Sequence, residues 1–212
     1  MSGWRTSAVV AAAAVVMASV AGGARAADES PWEVRLRAVY LDPYNHSDAV
    51  PGLLPSDAIH INNKWLPDLD VEYHFTPHWS SELVLTVPQS QDVNVAGIGR
   101  IGSFKHLPPV LTVKYNFLPY GTFRPYVGAG YNLTIISDVN LYVPGVGTLG
   151  LNKTSTGPAL QAGFDWKLAE HWFLNADVKW VRLHATVNYA GDPVTQLQIN
   201  PLLFGIGAGY RF

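Results

Sequence analysis

Asp68, Asp70, Glu72 and His74 stand two residues apart in one short stretch, and Arg35 and Arg37 repeat the spacing nearer the N-terminus. In a strand such residues share one face, about 7 Å from one to the next. Carboxylates facing one another across strands can do acid–base chemistry. Carboxylates facing arginines make ion pairs instead. No Ser-His-Asp arrangement stands out, so no catalytic residue is assigned and no enzyme is expected. Among the seven histidines only His74 and His78 are four apart, and they fall on a strand end and a turn rather than on a helix; with no cysteine in the chain, this leaves no metal set and implies no cofactor. The expected chemistry is therefore electrostatic, and the question is what kind of element carries charges on one face only.

Period-two alternation predicts strands at 32–41, 65–75, 79–87, 109–117, 123–133, 156–168, 172–182 and 202–212. Each sets an apolar face against one that is polar or glycine. Glu33, Arg35 and Arg37 oppose Val34, Leu36 and Ala38 on the first, and the carboxylate stretch opposes Leu69, Val71 and Tyr73 on the second. Glu82 and Val84, Lys114, Arg124, Asp165 with Lys167, and Asp177 with Lys179 fall on the same side of later strands. The last strand opposes Phe204, Ile206, Ala208 and Tyr210 to Gly205, Gly207, Gly209 and Arg211, and the chain ends at Phe212. Strands of about ten residues, apolar outside and charged inside, are the unit of a transmembrane barrel. A soluble eight-stranded barrel buries its apolar face inward instead.

Composition agrees. Charged residues are 14% of the chain, against about 25% in an average soluble domain, and aromatics are 12%. Trp79, Phe117, Phe123, Trp166 and Trp172 fall beside short turns, while Tyr40, Trp65, Tyr131 and Trp180 fall near long connections, as two interfacial girdles would. Residues 1–26 read as a signal peptide, with Arg5, an apolar run and an Ala24-Arg25-Ala26 cleavage pattern. Residues 27–212 are then the barrel. Removing the leader leaves 12 basic against 16 acidic residues, a formal charge of −4, which gives no support for nucleic-acid binding.

The connections alternate long and short, as in outer-membrane barrels with extracellular loops and periplasmic turns. Long loops are expected near 42–64, 88–108, 134–155 and 188–197. The first and third carry many apolar residues, among them Leu53, Leu54, Ile59, Leu141 and Val143. Gathered over the mouth, they would form a funnel for an apolar solute. Inside, Arg35, Arg37, Asp70, Glu72, Glu82, Val84, Lys114, Asp177 and Lys179 would line the lumen. Eight strands enclose barely more than their own side chains, so a lumen plugged by ion pairs is the alternative to a conduit. Gly128, Gly130, Gly205, Gly207 and Gly209 are expected to leave open space there. Proline weakens a ladder because it donates no N–H, so a lateral opening is expected at Pro108 and Pro109, with Pro158 the second choice.

Lys105-His106-Leu107-Pro108-Pro109, Phe123-Arg124-Pro125-Tyr126-Val127-Gly128-Ala129-Gly130 and the closing Ala208-Gly209-Tyr210-Arg211-Phe212 resemble the outer membrane protein W family. The resemblance implies an eight-stranded barrel in a Gram-negative outer membrane. It also implies passive passage of small hydrophobic molecules through a narrow apolar lumen, with exit through the wall. Phe212 would belong to the signal read by the barrel-assembly machinery. The family's constriction corresponds to Val84 and Lys179; Val84 keeps the apolar character, whereas Lys179 replaces an aromatic. The expected protein is a monomer in contact with outer-membrane lipid and a small hydrophobic solute. The alternative is a non-transporting barrel that acts structurally or binds partners through its loops.

Overall fold

Alternation with a period of two runs through almost every ordered segment, and those segments are strands. The computed structural model describes residues 30–50 and 54–212. The leader over 1–26 and Leu53 lie outside the described residues. In chain order, β1 (Trp32–Asp42) leads through the short β2 (His46–Ser47) and β3 (Ile59–Ile61) to β4 (Lys64–His74) and β5 (Trp79–Leu85). A hairpin of β6 (Gln89–Val95) and β7 (Gly99–Leu107) precedes β8 (Val110–Asn116). The long β9 (Phe123–Val143) is followed by β10 (Gly147–Leu151), β11 (Thr154–Lys167) and β12 (Trp172–Val181). β13 (His184–Tyr189), β14 (Asp192–Gln198) and β15 (Leu202–Arg211) complete the chain.

β1, β4, β5, β8, β9, β11, β12 and β15 pair antiparallel in that order, and β15 returns to β1. The result is the closed eight-stranded antiparallel barrel that the alternation predicts. Its outer surface is apolar, with Leu36, Leu111, Val113, Leu160 and Ile206 exposed. Its inner surface holds the charges. Near the short turns, Trp32 meets Tyr73, Trp79 meets Tyr115 and Trp172 meets Tyr210, with ring centroids 4.8, 5.0 and 5.1 Å apart. At the other end Tyr40 and Trp65 pair at 5.3 Å.

Three of the four expected loops are folded differently from the expectation. Residues 88–108 contain the β6–β7 hairpin, β9 runs on past 133 to Val143 and turns into β10, and β13 pairs β14 across 188–197. Only the connection after β1 stays largely irregular, with β2 and β3 as short pieces. The hairpins stack above the barrel as an extension whose facing is inverted. Apolar residues point inward, and Ile59, Val93, Val95, Phe104, Leu141 and Leu197 belong to one buried cluster. On β9 the inward positions change from even (Asn132, Thr134, Ile136) to odd (Leu141, Val143). A bulge makes the change: Asp138 takes a φ of 48° and the β7–β9 register slips between Ser103 and Lys105. One extra residue on one strand moves every later side chain to the other face.

Candidate functional site

The lower barrel is filled, and the filling is ionic. Arg35 on β1 is fully buried and reaches four carboxylates: Glu33 at 2.7 Å, Glu82 at 3.0 Å, Asp165 at 3.1 Å, and Glu72. Arg37, one step up the same face, binds Asp70 at 2.6 Å, Asp68 at 2.8 Å and Asp177 at 2.8 Å. Glu82 also takes Lys114 at 3.2 Å and Lys179 at 3.1 Å, and Lys114 lies 2.7 Å from Glu72 and 3.7 Å over the Tyr126 ring. The register explains why these groups meet. β1 and β4 place Arg35 opposite Asp70, Arg37 opposite Asp68 and Glu33 opposite Glu72, so each arginine finds acid on the neighbouring strand. Bidentate guanidinium geometry suits such sharing. In a low-dielectric interior each unpaired charge is expensive, so the network holds as a unit.

The glycines do not provide the open space expected of them. A Cβ on Gly207 would lie 2.1 Å from the Leu36 carbonyl oxygen and 2.7 Å from Arg37 Cγ; one on Gly205 would lie 2.3 Å from Asp177 Oδ1. Gly128 is hemmed in by Gln161 and Lys114, and Gly130 by the backbone of β8. The absent side chains are where the arginine and lysine stems run, and the space is used.

Above this plug lies a small chamber of about 50 Å³. Its floor is Arg37, Asp68, Asp177 and Lys179; its sides include Val39, Leu66, Val84, Val110, Val181 and Leu203. Val84 and Lys179, the two positions matched to a constriction, therefore both line it, and Lys179 is tied to Glu82 rather than standing free. Higher still, inside the extension, an apolar cavity of about 190 Å³ is bounded by Leu54, Ile59, Leu141 and Val143 among others. Phe104, on the upper cavity, and His106, on the chamber, are neighbours on the inward face of β7 with ring centroids 6.0 Å apart.

The chamber meets the barrel wall at Thr86 and Pro108. The β5–β8 ladder stops at Val84 opposite Val110, and pairing resumes only at Gln89 opposite His106. On the other side the β4–β5 ladder ends at Leu69 opposite Leu85, although β4 continues to Lys64. Residues 86–88 therefore lack a ladder on both flanks. Two side-chain clasps bridge the β4 side, Thr86 Oγ1 to the Pro67 carbonyl and Lys64 Nζ to the Ser90 carbonyl, each at 3.0 Å. Pro88, Pro108 and Pro109 supply no N–H here, which is the physical reason for the break. Pro158 behaves otherwise. It faces outward in a β9–β11 ladder that continues from Thr154 opposite Ile135 to Trp166 opposite Phe123, and its carbonyl accepts from Arg182 N at 2.9 Å. On the β12 flank the β11–β12 ladder ends at Ala159 opposite Val181 although β11 continues to Thr154, so the pairing at Pro158 is broken on one flank and not on both.

The pattern of residues 32–212 matches the OmpW family. The chain belongs to that family. This OmpW-family barrel is 36% identical to outer membrane protein W of Vibrio cholerae over 87% of the chain and 89% of that protein. It is 29% identical to the dibenzothiophene metabolism operon protein PahQ of Pseudomonas aeruginosa, over 88% of the chain and 90% of that protein. Among solved structures it resembles the outer membrane protein OprG of Pseudomonas aeruginosa, with a TM-score of 0.74 and 26% identity, covering 87% of this chain and 97% of that one. The protein lies in the outer membrane, embedded in its lipid, with the short turns periplasmic and the extension outside.

Two residues of the site escaped the sequence reading. His106 enters the sequence reading only as part of a motif, and Thr86 does not enter it at all. Both were within reach. Even-numbered positions from Lys114 back through Thr112, Val110 and Pro108 lead to His106 on the same face, once the two prolines are read as a break within one line rather than as the end of a strand.

Proposed function

We propose that this OmpW-family barrel takes up small hydrophobic molecules passively, through the extension and out through the wall. One observation carries the reading: the apolar cavities descend to the ion-paired plug and touch the wall where the ladder is broken. A solute that enters among Leu54, Ile59, Leu141 and Val143 meets Arg37, Asp177 and Lys179 below it, where an apolar body gains nothing. The segment beside Pro108 and Pro109 offers it lipid instead. A relative in a dibenzothiophene metabolism operon fits, dibenzothiophene being a flat apolar molecule. The inward facing of the extension's apolar residues favours uptake over a surface-binding role, which would need them outside. The same reading makes the protein a monomeric, non-enzymatic barrel, with Phe212 as part of its assembly signal. Phe212 donates its N–H to the Trp32 carbonyl at 3.2 Å and so ends the chain against β1.

Proteoliposomes with lipopolysaccharide in the outer leaflet test this. They should take up an apolar solute such as naphthalene faster than protein-free vesicles, and Leu141→Asn with Val143→Asn should slow them. Equal rates with and without protein would remove the uptake reading.

A further inference from the structure

His106 is 4% exposed, lines the chamber, and has no hydrogen-bond partner on either ring nitrogen among the described residues. Buried polar groups without partners are rare and cost free energy, so two on one ring ask for an explanation. Burial, with Lys64 nearby, pushes the ring's pKa down to about 4, so it is neutral in the cell's surroundings. A neutral imidazole carries one donor and one acceptor. Of the other polar groups around the chamber, Asp68 Oδ1 is a second acceptor without a hydrogen-bond partner among the described residues, and the rest are engaged. Arg37 is held by Asp68 and Asp177, Lys179 by Glu82, and Thr86 donates to Pro67.

We infer that the chamber is a binding subsite for a single uncharged polar head group, with His106 as its hydrogen-bonding residue and the attached apolar body lying in the cavity above. The inference rests on the uptake reading and names its substrate class: small amphipathic molecules with a hydroxyl or carbonyl terminus. The volumes fit. About 50 Å³ has room for a head group, and about 190 Å³ exceeds the roughly 150 Å³ of an apolar cavity that holds benzene. A hydroxyl can donate to the unprotonated ring nitrogen or accept from the ring N–H, and a carbonyl can accept from the ring N–H, so one head group meets one of the two nitrogens. A carboxylate finds no unpaired cation on the floor and faces Asp68 and Asp177 there, so charge is selected against.

The test compares 1-hexanol, hexanoate and hexane on the full-length protein in lipid nanodiscs and proteoliposomes. In nanodiscs, 1-hexanol should shift the ¹⁵N signals of the His106 ring and hexane should leave them in place. His106→Leu should weaken 1-hexanol binding by on the order of tenfold, the worth of one buried hydrogen bond, while hexane is unaffected and His106→Gln recovers most of the loss. Hexanoate should bind more weakly than 1-hexanol to the unaltered protein. Unmoved His106 signals, or equal losses for hexanol and hexane in His106→Leu, would overturn the subsite. Should proteoliposomes pass neither compound faster than bare vesicles, the uptake reading falls, and the nanodisc shifts still decide the subsite.

Discussion

Arg35 shows what one side chain can hold. Four carboxylates converge on it from β1, β4, β5 and β11, none with water to fall back on. Arg35→Met keeps the bulk and removes the charge. It should cost about 3–5 kcal/mol, the penalty for leaving buried charges uncompensated. The check is the urea midpoint of the folded band on an unheated gel; an unchanged midpoint would show that the network relaxes without its centre. Most of this site was readable in the amino acids, because a period of two places Arg35, Arg37, Asp70, Glu72 and Glu82 on one face whatever the barrel's diameter. The glycines were not. Their alternation said where they point, but whether Gly205 and Gly207 face a void or a guanidinium stem depends on side chains from β1 and β12 that only the closed register brings together.

At the scale of elements, the informative piece is the stretch 86–88 between β5 and β6. Replacing Pro108 and Pro109 together by valine gives the β7–β8 line two N–H groups and lets the ladder close toward Leu85 and Pro88. Hydrogen exchange at residues 85–87 should slow, and solute uptake should fall several-fold while the barrel stays folded. Faster or unchanged uptake would place the exit elsewhere. The prolines at 108 and 109 were legible as a break, whereas the break at Pro158 is one-sided for a definite reason. It faces lipid within β11, where the β9 side stays in register and only the β12 side stops, at Ala159 opposite Val181. The hairpins of the extension were harder still. Their apolar residues looked like loop patches because the bulge at Asp138 shifts the alternation by one, and a reading at constant parity loses the strand there.

For the molecule as a whole, two opposite solvation schemes share one sheet: charge inside and apolar outside in the membrane, then the reverse above it. That stacking places an apolar hollow over an ionic floor. Porins with sixteen or eighteen strands leave an aqueous channel; eight strands filled by Arg35, Arg37, Lys114, Lys179 and their acids do not. In planar bilayers the protein should give no stepwise ionic current, staying at the baseline of protein-free lipid, whereas steady openings of any size would mean that the plug moves aside. The same network has a meaning for the cell that holds the barrel. A pore wide enough for water and salt also admits small polar solutes of every kind, so each copy widens the outer membrane's leak to them a little further. A barrel stoppered by its own ion pairs adds nothing to that leak. Its abundance is then bounded by the area of membrane it occupies, and copies can be added without opening the surface to polar solutes.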